Sequence, residues 1–526
     1  MPLTALQPPS LAVDLTAMGT PTEIESPARP IVSIPPASDG KLRENRPILN
    51  AKSWTLAAAL LLFLLTRWYI LTQQTIFGST LDEINVTYAI EANESHRTGV
   101  PLSAVHRRRR LESSARRGRD ISDSMDAGVI GYPPLAVAWM RLPYLFGSQI
   151  LEDPKPDPQS IADAVQMSRV SSAVLDLGAF LLVMGFLFYG YTGETRQIGM
   201  RLSIFVAGGV LMSHLLYDRL DLALGAIFLT AVVLFSATRH FAFAFFILAL
   251  GINFKLVPVV LAPLWILAAL PPSALAPQAR WRKLIPLMLT RALVLAGFAV
   301  LCLVPFLFSS EWGSLDYLSL HAARGVQMES IWSSLALLGG HLGYPVDLYS
   351  DSGSVNIRSA WTPFMMSLST LSVAASILLI TGCFWLYAKR RVDPHSGCGT
   401  IAQALDSDIV TWSVLTLVAV MGLAKVFSAS YPLWLVTLLP LVLPKGKKLG
   451  SLTGLFLVIC LLTTLLYPYI YPGELAPEIG GGGLFRKFGP TTGFGETVLD
   501  LRNLLFLGFG GLIAWELRKQ FREPVR

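Results

Sequence analysis

Charge is what this chain has least of. Asp, Glu, Lys and Arg together make up 15% of its residues, against 53% hydrophobic residues, and the mean hydropathy is +0.53. A water-soluble chain of 526 residues needs far more charge to cover its surface. Cysteine is scarce too. Cys302, Cys383 and Cys460 fall inside apolar runs and Cys398 in a polar segment. No two have metal-ligand spacing, so neither a zinc site nor a disulfide framework is expected. No signal peptide is expected within residues 1–50, which have no suitable apolar run. A nucleotide loop is missing as well, because no strand precedes Gly480 to Gly483. The formal charge of +7 sits mostly in short basic clusters beside apolar runs. That is how membrane topology is set, and no nucleic-acid partner is expected.

What the chain does have is helix-length apolar runs, at roughly 54–73, 169–190, 200–217, 220–238, 286–308, 361–388, 409–424, 430–444, 449–471 and 502–517. Runs of this kind cross a bilayer as helices. The expected fold class is therefore an all-α polytopic membrane protein. Residues 1–50, rich in Pro, Ser and Thr, read as a disordered cytoplasmic tail. Lys41, Arg43, Arg46 and Lys52 hold the start of the first span inside. Basic clusters at Arg239, Arg280 to Lys283, Lys389 to Arg391, Lys445 to Lys448 and Arg518-Lys519 mark the later cytoplasmic turns.

Two segments decide the count of spans. Residues 132–148 open with Tyr132-Pro133-Pro134 and carry Arg141, so they read as an amphipathic surface helix ending at Gly147. Residues 241–270 are apolar but interrupted by Asn253, Lys255 and Pro258, with basic residues on both flanks. Two short helices meeting near Lys255 satisfy parity, a broken-helix arrangement tolerated where it lines a cavity. About 12 transmembrane helices result, with both termini cytoplasmic. A rival map makes 132–148 a span and 241–270 one helix, at the cost of a lysine in mid-membrane. The domains expected are the tail 1–50, a transmembrane module 51–308 with an outer loop 74–168, a second outer loop 309–360, and C-terminal helices 361–526.

On the preferred map one face gathers the polar residues. It collects Asp82 and Glu83, Tyr132, the Asp218-Arg219-Leu220-Asp221 turn, Lys255, then His321, Arg324, Gln327 and Glu329, and Lys425. Carboxylates mixed with cations suit a reaction in which a hydroxyl loses a proton while an anionic group departs. The arginines between Arg107 and Arg119 fall on the same side and read as a solvated, flexible surface, with attraction of anionic lipid or an acidic glycan as the alternative.

Several stretches, taken in order, resemble a known group. Asp82-Glu83 with Tyr88, Gly99 and Pro101 comes first, then Tyr132-Pro133-Pro134-Leu135, then Phe254-Lys255-Leu256-Val257-Pro258. After these come His321-Ala322-Ala323-Arg324-Gly325-Val326-Gln327-Met328-Glu329-Ser330, and Lys425-Val426-Phe427-Ser428 with Tyr431 and Trp434. Across roughly residues 54–445 the order resembles the GT-C glycosyltransferases, in particular glycosyltransferase family 87, the polyprenyl-phosphate-mannose-dependent type. Gly131 stands where that family often has Glu.

The resemblance implies a hexosyltransferase of the cell envelope, in a bacterial cytoplasmic membrane. It would move a hexose, mannose by the likeness, from a polyprenyl-phosphate donor to a lipid or glycan acceptor at the outer face, with inversion. Asp82 would be the general base, or else only cap the helix that opens at Glu83. Glu83 would support it or complement the helix dipole. Lys255, His321, Arg324 and Lys425 would hold the donor phosphate. Their alternatives are snorkelling, an Arg324–Glu329 ion pair, and an interfacial anchor at Lys425. Gln327, Glu329 and Tyr132 would line the substrate site. Asp218, Arg219 and Asp221 would form a salt bridge within their own turn, or contact the donor. No metal and no cofactor is expected beyond the lipid-phosphate sugar, which is a co-substrate. The rival function is a transporter or flippase of lipid-linked sugars.

Overall fold

The computed structural model describes residues 51–73, 82–116, 130–142, 145, 158–190, 195–237, 240–277, 281–307, 316–351, 354–406, 408–442, 447–467, 469–470 and 493–522. The tail 1–50, Gly147 and Gly480 to Gly483 lie outside the described residues. So does the stretch from Arg117 to Arg119.

The chain is almost entirely helical. It opens with α1 (Ala51–Gln73), α2 (Asp82–Thr98), α3 (Leu102–Arg116), α4 (Pro134–Arg141), α5 (Pro158–Gly190) and α6 (Thr195–Leu211). A single turn, α7 (Ser213–Leu216), leads into α8 (Asp221–Ala237), α9 (Phe241–Phe254), α10 (Ala262–Ala268) and α11 (Trp281–Leu307). After α12 (Asp316–Ala323), β1 (Val326–Gln327) and α13 (Ile331–His341) comes a hairpin of β2 (Val346–Asp351) and β3 (Ser354–Ser359). The chain then runs through α14 (Thr362–Arg391), α15 (Ile401–Leu405), α16 (Asp408–Leu423) and α17 (Pro432–Leu438). It ends with α18 (Lys447–Thr464) and α19 (Phe494–Arg522).

Among the described residues six helices are long and apolar enough to cross a membrane: α1, α5, α11, α14, α18 and α19. Their outer faces are apolar and uncovered. α1 exposes Leu61, Leu62, Leu65 and Trp68, α11 exposes Leu289, Leu293 and Leu301, and α14 exposes Leu371, Leu378 and Leu379. Apolar area on that scale is a surface for lipid, not for water. The chain is an integral membrane protein. Packed with them are shorter apolar helices, among them α8, α9, α16 and α17. α16 is buried from Ile409 to Val418, and α8 buries Leu222, Leu224, Phe228, Leu229, Val232 and Phe235. A helix apolar all round belongs in the interior.

The break expected at Lys255 is present. α9 ends as Lys255 turns extended, with φ −157° and ψ 127°, its N–H returning to the Gly251 carbonyl. Pro258 has no N–H to continue an α-helical ladder, and a 3-10 turn over Val257–Leu261 leads into α10. Within the expected surface helix at 132–148 the described helix covers Pro134–Arg141 and buries Pro134, Ala136, Val137 and Met140; its expected end at Gly147 lies outside the described residues.

The helices meet in two polar layers. In one, Lys52 Nζ reaches the Phe188 carbonyl at 2.6 Å, Arg201 Nη1 reaches the Pro440 and Val442 carbonyls at 2.8 and 2.6 Å, and Tyr387 Oη donates to Asp408 at 2.6 Å. The lysine and arginine bonds satisfy carbonyls that helix ends leave over, and the tyrosine bond joins two side chains. In the other, Ser369 Oγ donates to the Leu423 carbonyl at 2.8 Å, Thr464 to the Leu211 carbonyl, and Lys255 to Asp221. The candidate site is built in this second layer.

One feature departs from an all-α fold. Residues 326–359, expected as loop, contain a three-stranded antiparallel sheet in the order β1-β3-β2. Val326 pairs with Ile357 and Gln327 with Asn356. β-branched Val326, Val355 and Ile357 are buried against Trp332, Leu466 and Leu499, and that apolar packing gives so small a sheet its stability.

Candidate functional site

Asp221 is the first residue of α8, where a carboxylate complements the positive end of the helix. It is buried, with three donors on it. Lys255 Nζ lies 2.6 Å and Trp434 Nε1 2.7 Å from Oδ1, and Ser430 Oγ 2.7 Å from Oδ2. Lys255 also stands 4.9 Å from the Tyr431 ring centroid and 5.3 Å from that of Trp434. The helix break and the start of α17 are thus joined through one carboxylate and two aromatic faces. Tyr431 is within electrostatic reach of Lys255, Arg324, Asp221 and Glu329, which makes it the centre of the group.

Lys425 fixes the arginine segment. Its Nζ donates to the Ala322 carbonyl at 3.0 Å and the Arg324 carbonyl at 2.6 Å, closing the C-terminal end of α12. The Lys425 carbonyl in turn accepts from Gln327 N at 2.9 Å. β1 is therefore held by β3 on one edge and by this segment on the other. Ser330 caps α13, accepting from Ser333 N at 3.3 Å. Val326 and Met328 enter the apolar cluster beneath the sheet. Gln327 and Glu329, each 7% exposed, stay polar and buried outside it.

Burial pushes the Glu329 carboxyl up to about 7, against the pull of Arg502 and Arg219 and of the Ala429 N–H it accepts. His321 moves the other way. Burial, with Arg324, Lys255 and Lys425 nearby, holds its imidazole down to about 4. At neutral pH His321 is an uncharged hydrogen-bonding group among cations, not a cation itself.

Tyr132 links the first outer segment to this group. It lies near Lys255 and Arg219 electrostatically and meets Tyr88 edge to face at 5.5 Å. Tyr88 belongs to α2 and accepts from Gly131 N at 3.3 Å, at the position where Gly replaces the expected Glu. Asp82 opens α2 and Glu83 follows it, but their side chains lie outside the described residues.

The second layer therefore brings together Tyr132, Arg219, Asp221, Lys255, His321, Arg324, Glu329 and Lys425, with Gln327 beside them in sequence. Asp218 lies at the edge of this group, within electrostatic reach of Tyr467, which Arg219 and Glu329 also reach. A salt bridge within the 218–221 turn is not what forms. Asp218 takes Arg169 of α5, Nε to Oδ1 at 2.7 Å and Nη2 to Oδ2 at 3.2 Å, while Asp221 takes Lys255. Arg219 stays within electrostatic reach of Asp221 without being its ion-pair partner. Nor does Glu329 have Arg324 as its principal cation; Arg502 and Arg219 fill that place.

The arginine-rich stretch is also ordered differently. Residues 102–116 form α3, which packs its buried Leu102, Val105 and His106 on α2. His106 Nδ1 sits 2.8 Å from Glu91 Oε2, with both side chains buried, and Glu94 binds Arg108 and Arg109.

Four participants escape a reading of the sequence: Arg169, Ser430, Trp434 as an Asp221 donor, and Arg502. Arg502 is fully buried in α19 and donates from Nη2 to the Glu329 carbonyl at 2.8 Å. Arg169 and Arg502 each head an apolar run, where a buried charge is costly enough to mark a partner. That was the available signal. Ser430 carries none.

Chemically, the layer offers a cationic flank at Lys255, Arg324 and Lys425 that can receive an anion. Beside it lies a neutral-to-acidic flank at Gln327 and Glu329. Comparison of the chain with protein-family models, with curated proteins and with solved structures gives no match.

Proposed function

We propose that this protein is a GT-C-type glycosyltransferase that moves a hexose from a polyprenyl phosphate to a lipid or glycan acceptor. The observation that carries the reading is the meeting of Lys255, at a helix break, with Tyr132, Asp221, His321, Arg324 and Lys425. These residues come from distant parts of the chain and share one layer of a membrane protein. A phosphate-bearing lipid could reach that layer without leaving the bilayer. Counting α1, α5, α6, α8, α9, α10, α11, α14, α16, α17, α18 and α19 as crossings gives the twelve that this reading expects. On that count the site faces outward, and the basic turns face the cytoplasm.

In the proposed reaction the acceptor hydroxyl attacks the anomeric carbon as the bond from that carbon to the phosphate oxygen breaks. The hydroxyl proton passes to the Asp82 carboxylate. The electron pair leaves on the lipid phosphate, whose charge Lys255 and Arg324 hold. Displacement from the opposite side inverts the configuration. His321, neutral, can donate one hydrogen bond to the phosphate without adding charge. Lys425 has spent two of its three N–H groups on backbone carbonyls, so its part is to hold Arg324 in place, with one proton left for the ligand.

The test is transfer of labelled hexose from a polyprenyl phosphate by purified protein in detergent, where no two compartments exist. Wild type should transfer, including in excess chelator. Asp82→Asn should lower kcat at least a hundredfold while donor binding persists. No transfer to a broad acceptor panel, with lipid-linked sugar moving across vesicles instead, would favour the transporter.

A further inference from the structure

Among the described residues, five buried side-chain atoms at and near Glu329 have no hydrogen-bond partner: Gln327 Oε1, Glu329 Oε2, Arg219 Nε, and Nε and Nη1 of Arg502. A buried polar atom left unpaired costs on the order of 1–3 kcal/mol, so five such atoms on side chains gathered about Glu329 call for partners that the surrounding side chains do not supply. Their chemistry restricts what those partners can be. Two are acceptor oxygens and three are guanidinium nitrogens that donate, Arg219 and Arg502 both lie within electrostatic reach of Glu329, and so do the aromatic side chains Tyr431 and Tyr467. Arg502 stacks 4.4 Å over the Phe427 ring. An anion would meet the bare oxygens of Gln327 and Glu329. A cation would meet Arg219 and Arg502. A neutral group whose every hydroxyl both donates and accepts satisfies both sets.

We infer that Gln327, Glu329, Arg219 and Arg502 form a subsite for the hydroxyls of the donor's sugar, next to the cationic flank that takes its phosphate. Tyr431, in reach of Lys255 and Arg324 on one side and of Glu329 on the other, marks the boundary between the two. The inference rests on the proposed function for the identity of the donor. It adds that sugar and phosphate are read by different residues, and that Arg502 of α19, far outside the expected module, helps to read the sugar. Arg502 also fixes the Glu329 backbone, so it positions one reading group while offering its own free N–H groups.

Because a site built to bond a hydroxyl rejects analogues lacking it, the subsite should show itself in binding without any turnover. Farnesyl phosphate and its mannosyl and glucosyl phosphodiesters serve as probes, with affinities measured on full-length protein in detergent. Wild type should prefer the mannosyl ester over bare farnesyl phosphate at least tenfold. Gln327→Leu and Glu329→Leu should each erase most of that preference, while the affinity for farnesyl phosphate itself stays within about threefold. Should the leucine variants fail to fold, isosteric Glu329→Gln keeps the question open to refutation. It should change the mannosyl-to-glucosyl affinity ratio at least threefold. The proposal is overturned if wild type shows no preference for the sugar-bearing lipid. It is equally overturned if the preference and the epimer ratio survive all three substitutions. A lost preference in a protein that transfers no labelled sugar would leave the subsite standing and remove the enzyme. Transfer with the preference untouched would do the reverse.

Discussion

Asp221, at the start of α8, accepts from Lys255, Ser430 and Trp434, whereas Glu329, in the turn after β1, is as buried and leaves Oε2 bare. The two carboxylates share a neighbourhood, since Arg219 and Tyr431 reach both. Asp221 has its oxygens answered from the helix break at Lys255 and from the start of α17 at Ser430 and Trp434, so it ties the break to α17. Glu329 has cations near it and, among the described residues, accepts from the Ala429 N–H with Oε2 left bare. Asp221 is answered within the protein, whereas Glu329 is the carboxylate on which the proposed subsite draws.

The sharpest way to break this contrast is to neutralise each carboxylate in turn. Asp221→Asn leaves Lys255 charged and largely buried without its counter-ion. Removing one partner of such a pair typically costs about 3–5 kcal/mol, so the variant should lose most of its folded fraction in a detergent melt. Glu329→Gln replaces a carboxyl that is half protonated near neutrality and should melt within about 1 kcal/mol of wild type. If the two variants melt alike, the contrast between them is false.

Titration sharpens the same comparison. The folded-state value of Glu329 is raised from 4.5 to about 7, so the folded protein holds a proton that the unfolded chain has released between those values. Stability from this group is complete below about 4.5 and is lost as pH rises through 7, a range worth at most about 3 kcal/mol. Arg502, Arg219, Tyr431 and Tyr467 face it, and none of the four titrates in that window on its ordinary value. His321 contributes with the opposite sign. Its value falls from 6.5 to about 4, so its stability is present above 6.5 and fades as pH drops through 4. Subtracting the Glu329→Gln melt from that of wild type at each pH removes the histidine. The difference should shrink steadily from pH 4.5 to 7, and a flat difference would reject the buried, proton-holding Glu329.

The contrast also explains how far the sequence could be read. Hydropathy runs are set by the lipid outside, so α1, α5, α11 and α14 could be located from composition alone. Lys255 and Pro258 interrupt an apolar stretch, and an interruption is visible by eye. The 321–329 segment was legible as a cluster of polar residues. Which carboxylate takes which cation was not. Asp218 has Arg219 beside it in sequence and Arg169 beside it in space, and only helix packing chooses between them. Arg502 lies 173 residues from the carbonyl it holds, and nothing local signals that. The small sheet escaped because β1 is two residues long and exists only through pairing with β3. The arginines of α3 look like a solvated run because Glu91 and Glu94, which hold His106, Arg108 and Arg109, sit on the preceding helix.

The smallest of the expected effects asks whether the bareness of Glu329 is imposed by the sheet. Gly325 sits between Arg324 and β1, and a Cβ there would collide with Tyr349 Oη of β2 and approach Asn356 Cβ at 3.4 Å. Tyr349 has Arg358 over its ring at 4.6 Å and pairs with Asn356, so it is not free to swing away. Gly325→Ala should therefore push β1 off β3 at a cost of about 1–3 kcal/mol. Tyr349→Phe removes the offending oxygen, and the double variant should recover most of the loss, a coupling that a double-mutant cycle reads directly. If the sheet is what aims Gln327 and Glu329, the sugar-over-phosphate preference should fall in Gly325→Ala and return in the double variant. A stability loss that the second substitution restores, with the preference unmoved throughout, would mean the sheet carries the strain but does not aim the subsite.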